Sequence, residues 1–202
     1  MATMSNAERQ SVNYWSDNPA IRWNEIALEL IAKYNLIPGP NADGTYTLPN
    51  ANKPAGPPAF PFANPPYAVR ALAYLSVAQF DGLVSAWHYK YVYNRSAPFK
   101  QTSDITYAYI DNDVPSYPSD GAVIATASRK ILTAMFPLEA EYLTAKEKEH
   151  LRSLLLSGGN VQSDIDAGRQ IAEIVAAKAL ARAANDGMKN AQASKAISDS
   201  LA

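Results

Sequence analysis

The sequence predicts an all-α protein, a helical bundle with a proline-rich extended strap. Three observations carry this expectation. Apolar residues recur at helical spacing over five segments. No segment alternates apolar and polar residues with the two-residue period of a strand. Nine of the fourteen prolines fall within residues 36–66, where fixed φ angles and missing donors forbid regular structure. With 202 residues, 48% hydrophobic and 18% charged, the chain is long enough to bury one substantial core.

The elements follow in order. Residues 1–20 read as polar, with "DNPA" as a turn before the first helix. "IRWNEIALELIAKYN" (21–35) sets Ile26, Leu30 and Tyr34 on one face, and "PGP" stops it. The segment 36–66 has a turn at "NADGTY". It also carries Tyr46, Phe60 and Phe62, which predicts a strap packed on the domain rather than a flexible linker. Pro65-Pro66 open the longest helix, 65–94, whose stripe is Ala68, Ala71, Leu72, Leu75, Ala78, Gln79 and Leu83. A Ser-, Thr-, Asp- and Tyr-rich loop occupies 96–118. A helix starts at Ser119 and ends before Pro137, a charged amphipathic helix covers 138–157, and Gly158-Gly159 end it. The last helix spans 160–186. The chain thus divides into an N-terminal helix and strap (1–66), a bundle core (67–186) and a C-terminal tail (187–202).

Several function classes are excluded. A net charge of −1 with dispersed Lys and Arg leaves no basic stripe for nucleic acid. The absence of cysteine removes thiolate chemistry and Cys-ligated zinc. With only His88 and His150, a His-rich metal site is excluded too, and carboxylates two residues apart, such as Asp164 and Asp166, share no helical face; no metal site is expected. "MATMSNAERQ" has no signal-type apolar run, and no stretch is long and apolar enough for a transmembrane segment. His150, within "KEKEH", reads as a solvated surface residue.

Three short segments hold the residues worth testing for chemistry. "HYKYVYNRS" contains His88, Lys90 and Arg95. "PSYPSDGAV" contains Ser119, Asp120 and Gly121. "SLLLSGGNVQSD" contains Ser153, Leu154, Asn160 and Asp164. Each has a structural reading beside a chemical one. Ser119-Asp120 suits a helix N-cap followed by a first-turn acid. Arg95 suits a stacked or ion-paired arginine, and His88 a structural position. Asn160 or Ser163 suits the N-cap of the last helix, with Asp164 in its first turn.

In order and in flanking character these segments, over residues 65–170, resemble the phosphatidic acid phosphatase type 2 and vanadium-dependent haloperoxidase superfamily. The resemblance implies a helical bundle of that type with a cleft at its open end. It also implies an oxyanion cage built from three motifs. The first is Lys, six residues, Arg-Pro; His88 stands at the lysine, Arg95 is kept, and Ser96 replaces the proline. A second register takes Lys90 as the lysine and puts Ala97 at the arginine; the aromatic alternation before Arg95 favours the first. In the second motif, Pro-Ser-x-Pro-Ser-Gly-His, Ser119 is kept while Asp120 and Gly121 replace glycine and histidine. In the third, Ser-Arg, five residues, His, three residues, Asp, Ser153 and Asp164 are kept, Leu154 replaces the arginine and Asn160 the histidine.

The family's nucleophile and its acid/base are both histidines, and neither survives. A nucleophile needs an accessible basic lone pair, which the Asn160 amide lacks. A general acid needs a titrating side chain, which Gly121 lacks. No residue is thus a confident catalyst: Gly121, Asn160 and Asp164 are family-equivalent positions, and His88, Arg95, Ser119 and Asp120 are the candidate anion ligands. The expected function is a catalytically degenerate member in a binding or assembly role. The alternatives are a phosphomonoester hydrolase with a rearranged site and a small-oxyanion-binding protein. No cofactor is expected, with vanadate or phosphate as the ligand if the cage survives. The expected partner is another protein chain or a second copy. The resemblance favours export to the periplasm or cell surface.

Overall fold

A computed structural model describes residues 4–36, 39–56, 58–108 and 113–188. Among them it contains no strand, and its elements are α1 (Asn6–Ser16), α2 (Pro19–Tyr34), α3 (Pro65–Tyr93), the single turn α4 (Pro98–Gln101), α5 (Asp120–Met135), α6 (Ala140–Leu156) and α7 (Gln162–Ala183), with a 3-10 turn at Pro137–Glu139. The all-α expectation holds, and four of the five expected helices begin and end close to their predicted bounds.

α5 is the axis of the bundle. Residues 121–128 of this helix are all buried, most of them small, so it presents no solvent face over two turns. α3, α6 and α7 pack around it, and α2 closes a further side. Small residues allow close approach of helix axes. A Cβ on Gly82 of α3 would lie 2.5 Å from Val123 Cγ1, and one on Gly168 of α7 would fall inside the Ser119 carbonyl oxygen. Trp23, Leu75, Ile131, Leu132, Phe136 and Leu143 fill the rest of the core, each buried side chain contributing roughly 1.5–3 kcal/mol.

Three expectations are corrected. Residues 1–20 hold a true helix, α1. Ser5 and Glu8 form a reciprocal capping box at its start, and Val12 and Trp15, one turn apart, are buried. α1 then packs along α6. The strap packs on the domain only at its C-terminal end, where Pro58, Pro61 and Ala63 are buried and Ala63 N–H donates to the Tyr34 carbonyl. Residues 41–52 lie almost entirely in solvent, Tyr46 and Leu48 included. Within this stretch the turn at Asn41–Gly44 does form. The last helix starts at Gln162, and its N-cap is Val161, not Asn160 or Ser163. The Asp164 carboxylate reaches back to the Val161 N–H at 2.9 Å, so the acid of the first turn does the capping. The tail expected over 187–202 lies, from 189 on, outside the described residues.

His150 is the largest departure. It is fully buried rather than solvated. Leu143, Glu147 and His150 fall at i, i+4 and i+7, so the imidazole sits on the buried stripe of α6. The ring stacks on Trp15, with centroids 4.4 Å apart and planes 5° from parallel. Trp23 Nε1–H donates to His150 Nδ1 at 3.2 Å, which leaves the proton of the neutral ring on Nε2. Burial alone pushes its pKa down to about 3.

Among the described residues no helix is long and apolar enough to cross a membrane.

Candidate functional site

Residues from α1 to α6 and from the adjoining loops line a cavity of about 320 Å³ at the N-terminal end of α5. The buried stripe of α3, running through Ala71, Leu75, Ala78, Gly82 and Ala86, ends in Lys90. The "PSYPS" turn, with a cis Tyr117–Pro118 peptide, delivers Ser116 and then Asp120 and Gly121 of α5. Leu154 comes from α6, and Asn160 from the link to α7. Phe99 and Tyr107, stacked with centroids 4.2 Å apart, form an aromatic wall, and Trp15 closes another side.

Lys90 is the cavity's cation. Its side chain is 2% exposed, and Nζ donates to the Pro115 carbonyl at 2.6 Å and stands 3.5 Å from Asp120 Oδ1. Asp120 Oδ1 also accepts the Gly121 N–H at 3.1 Å. Lys90 and Asp120 are therefore held together, and their charges cancel within the cavity. A bound anion would face the Asp120 carboxylate as well as the ammonium.

The second and third segments are tied to each other directly. Ser119 caps α5 by accepting the Ala122 N–H at 3.2 Å, and its hydroxyl donates to Asn160 Oδ1 at 3.2 Å. Asn160 Nδ2 donates to the Ser116 carbonyl at 3.0 Å. Ser119 N–H donates to the Asp164 carbonyl at 2.9 Å. Both ends of the Asn160 amide are thus engaged in holding the two segments together.

Arg95 and Asp164 form a separate unit beneath this one. Arg95 Nη1 donates to Asp164 Oδ1 at 3.0 Å and to Ser163 Oγ at 3.0 Å, and the guanidinium lies over the Tyr117 ring. The Asp164 side chain is wholly buried, and that of Arg95 is 41% exposed. Arg95 takes no part in the cavity wall. Its charge is spent on a buried carboxylate that would otherwise be unpaired.

Of the candidate residues, then, the structure brings Asp120, Gly121 and Asn160 to one cavity, with Ser119 and Asp164 directly behind them. It leaves Arg95 bonded at the side and His88 on the exposed flank of α3, with its ring against Tyr89. The cation in the cavity is Lys90, and neither His88 nor Arg95 lines it. Two residues along a helix turn it by about 200°, so His88 and Lys90 point to opposite sides. Lys90 lies four residues beyond Ala86 on the buried stripe, a signal present in the sequence. Ala97 also lines the cavity.

Gly121 and Leu154 occupy each other's space. A Cβ on Gly121 would meet Leu154 Cδ2 at 2.7 Å. Position 121 has no side chain, and Leu154 fills the room beside it. Among the described residues, no group of three or more His, Asp or Glu side chains is placed to hold a metal ion. No family model, curated protein or solved structure matches the chain.

Proposed function

We propose that this chain is a catalytically degenerate protein of the phosphatase and haloperoxidase type, whose cavity binds a small ligand without turning it over. The observation that carries this reading is the pairing of Gly121 with Leu154 beside an Asn160 amide engaged at both ends. The cavity wall offers no imidazole to attack phosphorus or coordinate vanadium. It also leaves no room, with Leu154 in place, for a general acid at position 121.

The paired Lys90 and Asp120 favour a neutral or zwitterionic polar ligand over a phosphate. An ammonium and a carboxylate can each bond an opposite group of such a ligand, whereas an oxyanion gains from one and is repelled by the other. The oxyanion-binding reading rests on Lys90 alone, because Arg95 is neutralised by Asp164. The rearranged hydrolase reading would require His88 and Arg95 to leave their present places.

The test is calorimetric titration with orthovanadate, repeated with Lys90→Met and Arg95→Ala, together with phosphomonoesterase and vanadate-dependent bromination assays across pH. The expected result is no turnover and no vanadate binding tighter than millimolar. Tight binding that disappears in Lys90→Met would establish the oxyanion reading instead. Turnover by the wild-type chain would sink the degenerate one.

A further inference from the structure

We propose that the outer face of α3 is a self-association surface, through which two copies of this chain pair with their α3 helices antiparallel about a two-fold axis. The proposal does not depend on what the cavity binds. The face consists of Ala73, Val77, Phe80, Val84, Trp87 and Tyr91, spaced four, three, four, three and four residues apart. That is the a/d repeat of a coiled-coil seam. It lies on the side of the helix opposite the stripe from Ala71 to Lys90 that packs into the bundle. Phe80 is 67% and Tyr91 72% exposed, and Val77 and Val84 are each more than half exposed.

A helix that is apolar all round is normally covered all round, yet nothing in the chain's described residues covers this side of α3. The seam carries no charge. The two cationic side chains of the helix turn away from it, Arg70 to Asp186 and Lys90 to the Pro115 carbonyl. Asp81, exposed, flanks the seam.

Two features identify a second copy as the occupant. The first is size complementarity under a two-fold axis. With the axis at the level of residue 82, Phe80 of one copy faces Val84 of the other, Trp87 faces Val77, and Tyr91 faces Ala73. Every large ring meets a small side chain, as an isologous interface requires. A parallel pairing would set ring against ring. The second is area. At roughly 100 Å² of exposed surface per residue, the six seam residues and the neighbouring Val69 bring on the order of 700 Å² per copy, close to the ~800 Å² per partner of a standard interface. A membrane surface is the poorer occupant, because the seam lacks the flanking Lys and Arg that anchor interfacial helices.

Sedimentation equilibrium of the full chain is expected to give twice the 21.9 kDa chain mass. Phe80→Glu, at an exposed position, is expected to give a monomer with an unchanged circular dichroism spectrum, and Val84→Glu the same. The chain contains no cysteine, so introduced thiols report without background. The double variant Ala73→Cys/Tyr91→Cys is expected to form a disulfide-linked dimer on mild oxidation, while neither single variant does. The two positions lie about 27 Å apart along one helix, which prevents an intramolecular bridge. A wild-type monomer at about 100 μM, or a dimer that survives both glutamate substitutions, overturns the proposal. Cross-linking of either single variant overturns the antiparallel arrangement.

Discussion

Leu154 Cδ2 stands 2.7 Å from where a Cβ on Gly121 would be, so position 121 can be enlarged only if position 154 is made smaller. Gly121→His is expected to destabilise the protein by about 1–3 kcal/mol through overpacking. Adding Leu154→Ala should recover about 1 kcal/mol or more of that loss, a coupling that a double-mutant cycle in urea measures. Additive effects would mean that the leucine simply swings aside.

His150 makes stability depend on pH. The folded ring stays neutral down to about pH 3, while in the unfolded chain it takes up a proton near pH 6.5. Between those values the unfolded state binds the extra proton, so stability is full above pH 6.5 and falls as the pH drops. The slope approaches about 1.4 kcal/mol per pH unit, roughly 2–3 kcal/mol between pH 7 and 4.5. His150→Asn keeps an acceptor for Trp23 Nε1–H and is expected to remove this slope. Urea midpoints at pH 7, 5.5 and 4.5, followed by tryptophan fluorescence, test it.

Removing Arg95 leaves the Asp164 carboxylate buried without its counter-charge. Arg95→Ala is expected to lower stability by about 2 kcal/mol, reduced from the value for a fully buried pair because the guanidinium is partly solvated. Asp164→Asn in the same background should recover part of the loss, since the neutral amide needs no counter-ion. Chemical denaturation of the two variants separates this from a role in ligand binding.

Gly168→Ala pushes a methyl group into the Ser119 carbonyl, which is backbone and cannot rotate away. The expected cost is about 3 kcal/mol, or a fall in Tm of roughly 6–12 °C for a chain of this size. A Tm within 2 °C of the wild type would show that α5 and α7 separate easily.

The helical class, the order of the long helices and most of their ends were legible locally. Pro65-Pro66 opened α3, Ser119 capped α5, and Gly158 at φ +81° stopped α6. The capping box Ser5–Glu8 was equally legible as a start signal for α1, although the polar composition around it hid the helix. The same holds for Lys90, because the four-residue step from Ala86 carries it inward whatever its charge. Within the candidate site, Ser119, Asp120, Gly121, Leu154, Asn160 and Asp164 were all marked out by the two short segments that carry them.

What those letters do was decided by residues far away in the chain. Lys90 is neutralised by Asp120, Arg95 by Asp164, and His150 is buried by Trp15 and Trp23 from two other helices. The sequence by itself determined where the five long helices lie, because backbone period and caps act within a turn or two. Tertiary structure alone decided which charges cancel, which side chain packs against Gly121, and which histidine is dry. Those outcomes depend on contacts across the bundle, and the period of a single helix does not encode them.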